Sequence, residues 1–160
     1  MVIVLMGVTG SGKTTVGRLL ASELGWKYYD ADDFHPPVNV EKMRAGIPLN
    51  DADRAPWLET LSSLIRESIN RGEHATLACS ALKNSYRASL LIDETVKLVY
   101  LKGDYALMQQ RLSARRGHYM NPALLDSQFE TLEEPDSGVQ VDASLSPDEI
   151  ARTIRNELGI

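Results

Sequence analysis

The sequence predicts an α/β fold in which a parallel sheet of five strands carries helices on both faces. Five short segments rich in β-favouring apolar residues alternate with segments whose apolar residues recur at helical spacing. A glycine-rich turn joins the first strand to the first helix, and right-handed crossovers place that turn near the centre of the sheet. With 160 residues, the chain suits a single domain.

The glycine-rich turn has the pattern of a phosphate-binding loop. It reads Gly7-Val8-Thr9-Gly10-Ser11-Gly12-Lys13-Thr14, followed by Thr15, and it lies between the apolar run Val2 to Met6 and a helix with apolar residues at helical spacing. Glycines let successive backbone N–H groups turn towards a polyphosphate, which also meets the positive end of the helix. Lys13 supplies a cation for the β- and γ-phosphates, and the Thr14 hydroxyl can ligate Mg²⁺. The sequence therefore predicts nucleotide binding at this turn.

Composition excludes several classes of function. The chain has 17 Lys and Arg against 22 Asp and Glu, a net charge of −5, so we expect no nucleic-acid partner and no anionic membrane surface. The run Val2 to Met6 is too short for a signal-peptide core or a membrane span, which predicts a cytoplasmic protein. Cys79, the single cysteine, closes an apolar run and is expected to be a buried, inert thiol.

Two aspartates follow the second predicted strand, Trp26 to Tyr29. Asp30 and Asp32 project to the same side of an extended chain, and in a parallel sheet they open beside the phosphate loop. The third strand, His74 to Cys79, ends without an acidic residue, so Asp30 or Asp32 becomes the candidate metal carboxylate and base. The alternative is a solvated acidic turn.

Residues 33–53 form a predicted excursion from the sheet with the size of a substrate-covering flap. His35 lies three residues after Asp32, and a structural role and a substrate contact are both open for it. Asp53 is expected to cap the next helix, whose apolar stripe runs from Trp57 to Ile69 and which ends at Gly72.

Two cationic pairs lie on later helices. Lys83 and Arg87 are four residues apart on one predicted helix face, which fits an anion clamp or a solvated surface. Arg111 and Arg115 have the same spacing, and with Arg116 they suggest a lid over residues 115–122 that neutralises charge on the transferred group; solvated helix charge is the alternative. The last strand, Gly138 to Asp142, precedes a capping box at Ser146.

These motifs together resemble the gluconokinases, small P-loop kinases related to shikimate and adenylate kinases. The resemblance covers essentially the whole chain. Beyond the phosphate loop it rests on a set of shorter blocks: Asp30-Ala31-Asp32 with His35-Pro36, Pro48-Leu49-Asn50-Asp51 with Asp53-Arg54 and Pro56-Trp57-Leu58, Cys79-Ser80-Ala81-Leu82-Lys83 with Tyr86-Arg87, Gly117-His118, and Gln128 to Pro135. The block at 51–58, the block at 80–83 and the block at 128–135 are specific to this family.

The resemblance implies a three-layer P-loop kinase fold with strand order 2-3-1-4-5, a substrate flap and a lid. It implies Mg²⁺-dependent transfer of the ATP γ-phosphoryl group to the 6-hydroxyl of D-gluconate, feeding the pentose phosphate or Entner–Doudoroff routes. In this chain the resemblance implies that Asp30 would hold metal and that Asp32 would hold the substrate hydroxyl. Arg111 would pack on adenine, and residues 142–147 would edge the adenine pocket. Arg115 and Arg116 would begin the lid. A homodimer is also implied.

Gluconate is a small polyol with one carboxylate, so it requires a cation clamp and several hydrogen-bonding groups. The available candidates are His35, Asn50, Arg54, Lys83 and Arg87. Composition alone does not choose gluconate over shikimate or another hydroxy acid. A nucleotide-dependent switch is disfavoured because a guanine-reading Asn-Lys-x-Asp segment is absent, and a catalytically inactive binding module is disfavoured because Lys13, Thr14, Asp30 and Asp32 are intact.

Overall fold

The computed structural model describes residues 1–115 and 122–160. Its centre is a parallel five-stranded sheet in the order β2-β3-β1-β4-β5, which confirms the expected order. The strands are β1 (Val2–Met6), β2 (Lys27–Asp30), β3 (Ala75–Ala78), β4 (Val96–Lys102) and β5 (Val139–Asp142). β1 is central and pairs with β3 and β4, so its carboxyl end, where the phosphate loop begins, lies in the middle of the ligand edge.

Helices cover both faces of the sheet, as expected for an α/β fold. They are α1 (Lys13–Leu24), α2 (Pro37–Arg44), α3 (Asp51–Asn70), α4 (Asn84–Leu90), α5 (Tyr105–Ala114), α6 (Pro122–Thr131) and α7 (Pro147–Leu158), and a 3₁₀ turn spans Ala31–Phe34. Searched over the described residues, none of these helices is both long and apolar enough to cross a membrane.

The alternation of side chains along β1 builds two cores. Val4 and Met6 pack on one face with Trp57 and Leu61 of α3, whereas Leu5 packs on the other face with helices that include α1, α5 and α7. All five residues of β1 are buried, which explains why this strand reads as a continuous apolar run rather than an alternating one.

Two helix starts near the site differ from the sequence prediction, while the other element ends agree within about two residues. Asn50, not Asp53, is the N-cap of α3: the Asn50 side chain accepts the Asp53 backbone N–H, and the Asp53 carboxylate accepts the Asn50 backbone N–H. This reciprocal capping box places Asp53 at the third helical position. In addition, α4 begins only at Asn84, so Lys83 is its N-cap and does not share a regular helix face with Arg87.

Candidate active site

The phosphate loop is a tight turn that depends on its glycines. Gly10 and Gly12 have φ angles of 84° and 98°, in the left-handed region that favours glycine. A Cβ atom at Gly7 would lie 2.6 Å from the Ser11 Oγ, so a side chain there would push the loop open. Gly12 caps α1 without a side-chain hydrogen bond, which leaves the first N–H groups of the helix directed at the loop. The buried Ser11 Oγ has no hydrogen-bond partner among the described residues.

Lys13 is held inside this loop. Its Nζ donates to the Gly7 carbonyl at 2.9 Å and to the Val8 carbonyl at 3.0 Å. Burial lowers the pKa of the ammonium to about 8, although the Cys79, Asp32 and Asp30 side chains act in the opposite direction. A phosphate anion in the loop would compensate for that desolvation and stabilise the charged form.

Asp30 and Asp32 lie next to each other at the carboxyl end of β2, within electrostatic reach of Lys13. The Asp30 Oδ1 accepts the Asp32 backbone N–H at 3.0 Å and thereby caps the 3₁₀ turn. The Asp32 side chain is 82% exposed at the cleft surface. Its pKa is raised, first by the desolvation that the cleft walls impose and then by the Asp30 carboxylate, while Lys13 opposes the rise. The carboxylate therefore faces solvent beside a second carboxylate and the Lys13 ammonium.

The oxygen donors near the loop fit a magnesium ion. The Tyr28 hydroxyl donates to the Asp30 Oδ2 at 3.4 Å and lies near the Thr14 side chain, so it adjoins both predicted metal-binding groups. Residues 1–115 and 122–160 contain no group of three His, Cys, Asp or Glu side chains that could hold a metal by itself. A threonine hydroxyl and an aspartate carboxylate suit Mg²⁺, which is usually held by one or two protein oxygens, by water and by substrate phosphates.

A groove of about 250 Å³ adjoins the phosphate loop on the side of α5 and α7. Its lining includes Gly12, Thr15, Arg115, Leu145 and Pro147. The Arg111 guanidinium donates to the Gly10 carbonyl at 3.2 Å and to the Ala143 carbonyl, which fixes its plane along the groove. An aromatic base stacks well on such a fixed guanidinium plane. Arg116 and most of the predicted lid lie outside the described residues.

On the opposite side of the loop, the 3₁₀ turn packs on α3 through Trp57 and His35. The Trp57 indole Nε1 donates to the Ala31 carbonyl at 2.7 Å, and the His35 ring stacks on the indole with a centroid distance of 4.3 Å. The His35 Nε2 lies 3.9 Å from the Asp32 Oδ1. Burial and the positive Arg54 lower the pKa of His35, so its ring is neutral at physiological pH.

A polar cluster joins the start of α3 to α4. The Tyr86 hydroxyl donates to the Asp51 Oδ1 at 2.6 Å and accepts from the Arg54 Nη1 at 3.0 Å, while the Lys83 Nζ lies 3.2 Å from the same carboxylate oxygen. Arg54 and Lys83 therefore converge on one aromatic ring beside the cleft. Asp51 and Tyr86 were not among the predicted site residues, because their spacing in sequence gives no sign that they meet.

The structure revises the roles expected of Arg87 and Asn50. Arg87 is 4% exposed, and its guanidinium donates to the carbonyls of Ala81 and Glu133, each at 2.7 Å, and to the Asn84 side chain. Ala81 has a φ angle of 46°, so the arginine holds a strained turn in place. We therefore assign Arg87 to the loop scaffold instead of the anion clamp. The Asn50 Oδ1 already accepts the hydrogen bond that caps α3, so we expect a substrate contact from Asn50 to use its amide nitrogen.

The end of α6 contacts the phosphate loop, and the segment after α6 contacts the loop that follows β3. The Gln128 Oε1 accepts the Thr9 backbone N–H at 2.6 Å, and the Glu133 backbone N–H donates to the Leu82 carbonyl at 2.8 Å. The block at 128–135 is therefore in direct contact with the phosphate loop through Gln128. The sequence contains no pattern that predicts these contacts, because Gln128 and Thr9 are more than a hundred residues apart in the chain.

The fold and the site define a P-loop phosphotransferase. A family model described as shikimate kinase matches residues 9–157. A "probable gluconokinase" from Mus musculus is 44% identical over 98% of this chain and 97% of its own length. The chain belongs to the gluconokinase family.

Solved structures agree in fold and in relatedness. A sugar kinase from Janibacter sp. HTCC2649 is 40% identical with a TM-score of 0.90, and the match covers 99% of this chain and 94% of that one. A gluconokinase from Sinorhizobium meliloti 1021 is also 40% identical, with a TM-score of 0.86 over 98% of this chain and 90% of that one. The P-loop kinase fold is confirmed, and the chain is an enzyme of the kinase class.

Proposed function

We propose that this kinase transfers the γ-phosphoryl group of ATP to the 6-hydroxyl of D-gluconate. The observation that carries the proposal is the meeting of three groups at the sheet's ligand edge: Lys13 inside the phosphate loop, with Asp30 and Asp32 within its electrostatic reach. The names of the 40–44% identical relatives supply the sugar acid. The family model carries the name of a shikimate kinase, so phosphorylation of shikimate or another small hydroxy acid is the second candidate.

The reaction requires one bond to form and one to break. The gluconate 6-oxygen attacks the γ-phosphorus, the bond between that phosphorus and the β,γ-bridging oxygen breaks, and ADP leaves with the electron pair. The hydroxyl proton passes to the Asp32 carboxylate, which is exposed to the cleft. Lys13 and the N–H groups around Gly12 neutralise the phosphoryl oxygens as charge develops on them.

Mg²⁺ would supply positive charge to the nucleotide phosphates when bound. Thr14 and Asp30 are the residues that would hold it. The Tyr28 hydroxyl donates to Asp30 and so orients that carboxylate.

The carboxylate end of gluconate requires a positive counterpart. Lys83 and Arg54 are the candidates, because both lie on the Tyr86 ring in the cluster that joins α3 to α4. In this structure Asp51 partly neutralises Lys83 across 3.2 Å, so a substrate carboxylate would compete with Asp51 for the ammonium. The amide nitrogen of Asn50 is proposed to face the sugar hydroxyls from the flap side of the same cleft. His35 was also expected to contact the substrate, but its side chain is 5% exposed and its two ring nitrogens face Asn39 and Asp32, so we do not assign it a hydroxyl contact.

The flap (residues 33–53) and the lid (about 115–122) are proposed to close over the two substrates. Arg111 is proposed to stack on adenine, and Arg115 to engage the transferred phosphoryl group together with Arg116. The phosphate loop from Gly7 to Thr15 carries the nucleotide phosphates. A homodimer and a cytoplasmic location remain predictions, and light scattering of the purified chain tests the first.

The experiment that tests this function is a coupled assay of ADP release with a panel of acceptors. D-gluconate, shikimate, D-glycerate and a nucleoside monophosphate are each offered with ATP and Mg²⁺. We expect gluconate to give a kcat/KM at least about a hundredfold above the others, a difference of about 2.7 kcal/mol in transition-state binding. Preference for shikimate would establish the second candidate, and ADP release without any acceptor would contradict both.

A further inference from the structure

Asn39 is a fully buried polar residue of α2 that the reaction above does not use. It is 1% exposed, and its Nδ2 donates to the Asp53 carbonyl at 2.9 Å. A backbone carbonyl only accepts hydrogen bonds, so the atom that faces it has to be the amide nitrogen and not the amide oxygen. The orientation of the Asn39 amide is thereby determined by chemistry.

The same nitrogen faces the His35 ring. The Asn39 Nδ2 lies 3.2 Å from the His35 Nδ1. An amide nitrogen cannot accept a hydrogen bond, so the His35 Nδ1 has to be the acceptor and carries no proton. In the neutral ring the proton is then on Nε2, the nitrogen that lies 3.9 Å from the Asp32 Oδ1.

We propose that Asn39 and His35 are positioning residues for phosphoryl transfer: Asn39 fixes the His35 tautomer, and the His35 Nε2–H holds one oxygen of the Asp32 carboxylate. The second oxygen is left free to take the proton of the attacking hydroxyl. The opposite tautomer would aim a ring lone pair at the carboxylate and repel it. This inference rests on the proposed role of Asp32 as proton acceptor.

Other contacts keep the ring neutral and rigid. The His35 side chain is 5% exposed and is stacked on Trp57 with an interplanar angle of 11°. Of the charged groups that act on the ring, Arg54 disfavours the imidazolium, and Asp32 lies on the Nε2 side. Protonation of Nδ1 would also cost the hydrogen bond from Asn39. The distance of 3.9 Å exceeds a hydrogen bond, and we expect it to shorten when substrate fills the cleft, as catalytic hydrogen bonds commonly do.

The tautomer is measured directly in the parent protein. Long-range ¹H–¹⁵N correlation spectra of the full chain report which ring nitrogen carries the proton, and the chain has three histidines. His74→Gln and His118→Gln identify their own signals and leave that of His35. We expect a neutral ring protonated on Nε2 at neutral pH. A ring protonated on Nδ1, or on both nitrogens, overturns the proposal irrespective of which sugar acid is the substrate.

Two substitutions of His35 separate positioning from support of the fold. His35→Asn keeps an oxygen near Nδ1 that can accept from Asn39 but has no donor near Asp32, whereas His35→Gln extends an N–H towards the Nε2 position. We expect His35→Asn to lower kcat about ten- to a hundredfold with little change in the acceptor KM, and His35→Gln to retain more of the activity. Equal losses, or better activity in His35→Asn, would mean that His35 only supports the packing.

The activity assays use the acceptor that the parent enzyme phosphorylates. If that acceptor is not gluconate, the proposed function fails while the tautomer and the order of the two variants still decide this inference. The variant Asn39→Asp is a further test, because its new carboxylate accepts a hydrogen bond from the His35 Nδ1–H. We expect its spectrum, at any pH where the variant is folded, to show a protonated Nδ1; an unprotonated Nδ1 in that variant would contradict control of the tautomer by residue 39.

Discussion

Lys13 is both fixed in place by backbone carbonyls and lowered in pKa by its surroundings. It is half-buried in the phosphate loop, its Nζ donates to the Gly7 and Val8 carbonyls, and its pKa is lowered to about 8. We predict that Lys13→Ala lowers kcat at least about a hundred- to a thousandfold, because a cation that meets charge developing in the transition state is lost. Circular dichroism controls for folding, and we expect it to be unchanged. Activity within tenfold of the parent would refute the assignment of the phosphate loop.

The two carboxylates at the end of β2 are predicted to have different roles. Asp32 is exposed to the cleft, so Asp32→Asn should lower kcat by a factor on the order of 10²–10⁴ through the loss of proton acceptance. The Asp30 carboxylate accepts from the Tyr28 hydroxyl near Thr14 and is the proposed metal carboxylate, so Asp30→Asn should raise the Mg²⁺ requirement and be partly rescued by excess metal. Titration of kcat against Mg²⁺ for both variants checks this. Rescue of Asp32→Asn instead would reverse the two roles.

At this scale the sequence predicted residue types better than residue surroundings. The phosphate loop, Asp30 and Asp32 follow from local patterns, because strand, turn and helix are continuous in the chain. Arg87 was expected in the anion clamp, yet its partner Glu133 lies 46 residues away and no local pattern reveals that contact. The amide of Asn39 was likewise invisible, since its role depends on Asp53 and His35 approaching it in the fold.

At the scale of elements, the region between α3 and α4 contains Lys83, which we propose binds the substrate, and Arg87, which we assign to support of the fold. We predict that Lys83→Met raises the gluconate KM about ten- to a hundredfold while the ATP KM barely changes, because one charge-assisted contact contributes about 1.5–3 kcal/mol. Steady-state kinetics with each substrate varied in turn checks the prediction.

Arg87→Met is the matched control for that experiment. Arg87 bridges the strained Ala81 turn and the segment at Glu133, so its loss should lower the free energy of unfolding by about 1–3 kcal/mol for each buried carbonyl left unsatisfied. If Arg87→Met instead raised the gluconate KM with unchanged stability, the sequence-based anion clamp would be restored.

The elements themselves were largely predictable, within a few residues at each end. The continuous apolar character of β1 and β4 and the capping box at Ser146 identify strands and α7 by local physics. The start of α3 was misplaced by three residues, since Asn50 and Asp53 are both good capping residues and only the backbone conformation at Asn50 selects between them. The flap and lid remain proposals.

On the scale of the whole molecule, chemical labelling of Cys79 reports unfolding events that expose its buried thiol. It is buried at the end of β3, and burial raises the pKa of its thiol to about 12, so the folded chain should be inert to thiol reagents at pH 9.0, the ordinary thiol pKa. The unfolded thiol is half ionised there, and labelling then reports the free energy of opening. We expect labelling at least about a thousandfold slower than in urea.

A non-hydrolysable ATP analogue tests whether that opening includes the nucleotide site. The loop that carries Cys79 continues from β3, whose neighbour β1 leads directly into the phosphate loop, so opening at Cys79 should release the nucleotide. At about a hundred times its dissociation constant the analogue should slow labelling about a hundredfold. Labelling that the analogue leaves unchanged would mean that the thiol is exposed by an opening independent of the nucleotide site.

The measurement that most directly tests the central claim is the structure of the reaction product. Gluconate, ATP and Mg²⁺ are incubated with the enzyme, and the product is examined by ³¹P spectra with coupling to protons. We predict a single phosphate ester whose phosphorus couples to the two protons of the terminal carbon of gluconate, formed in equal amount with ADP. A phosphate on a secondary carbon or on the carboxylate, or ADP formed without any phosphorylated gluconate, would contradict it.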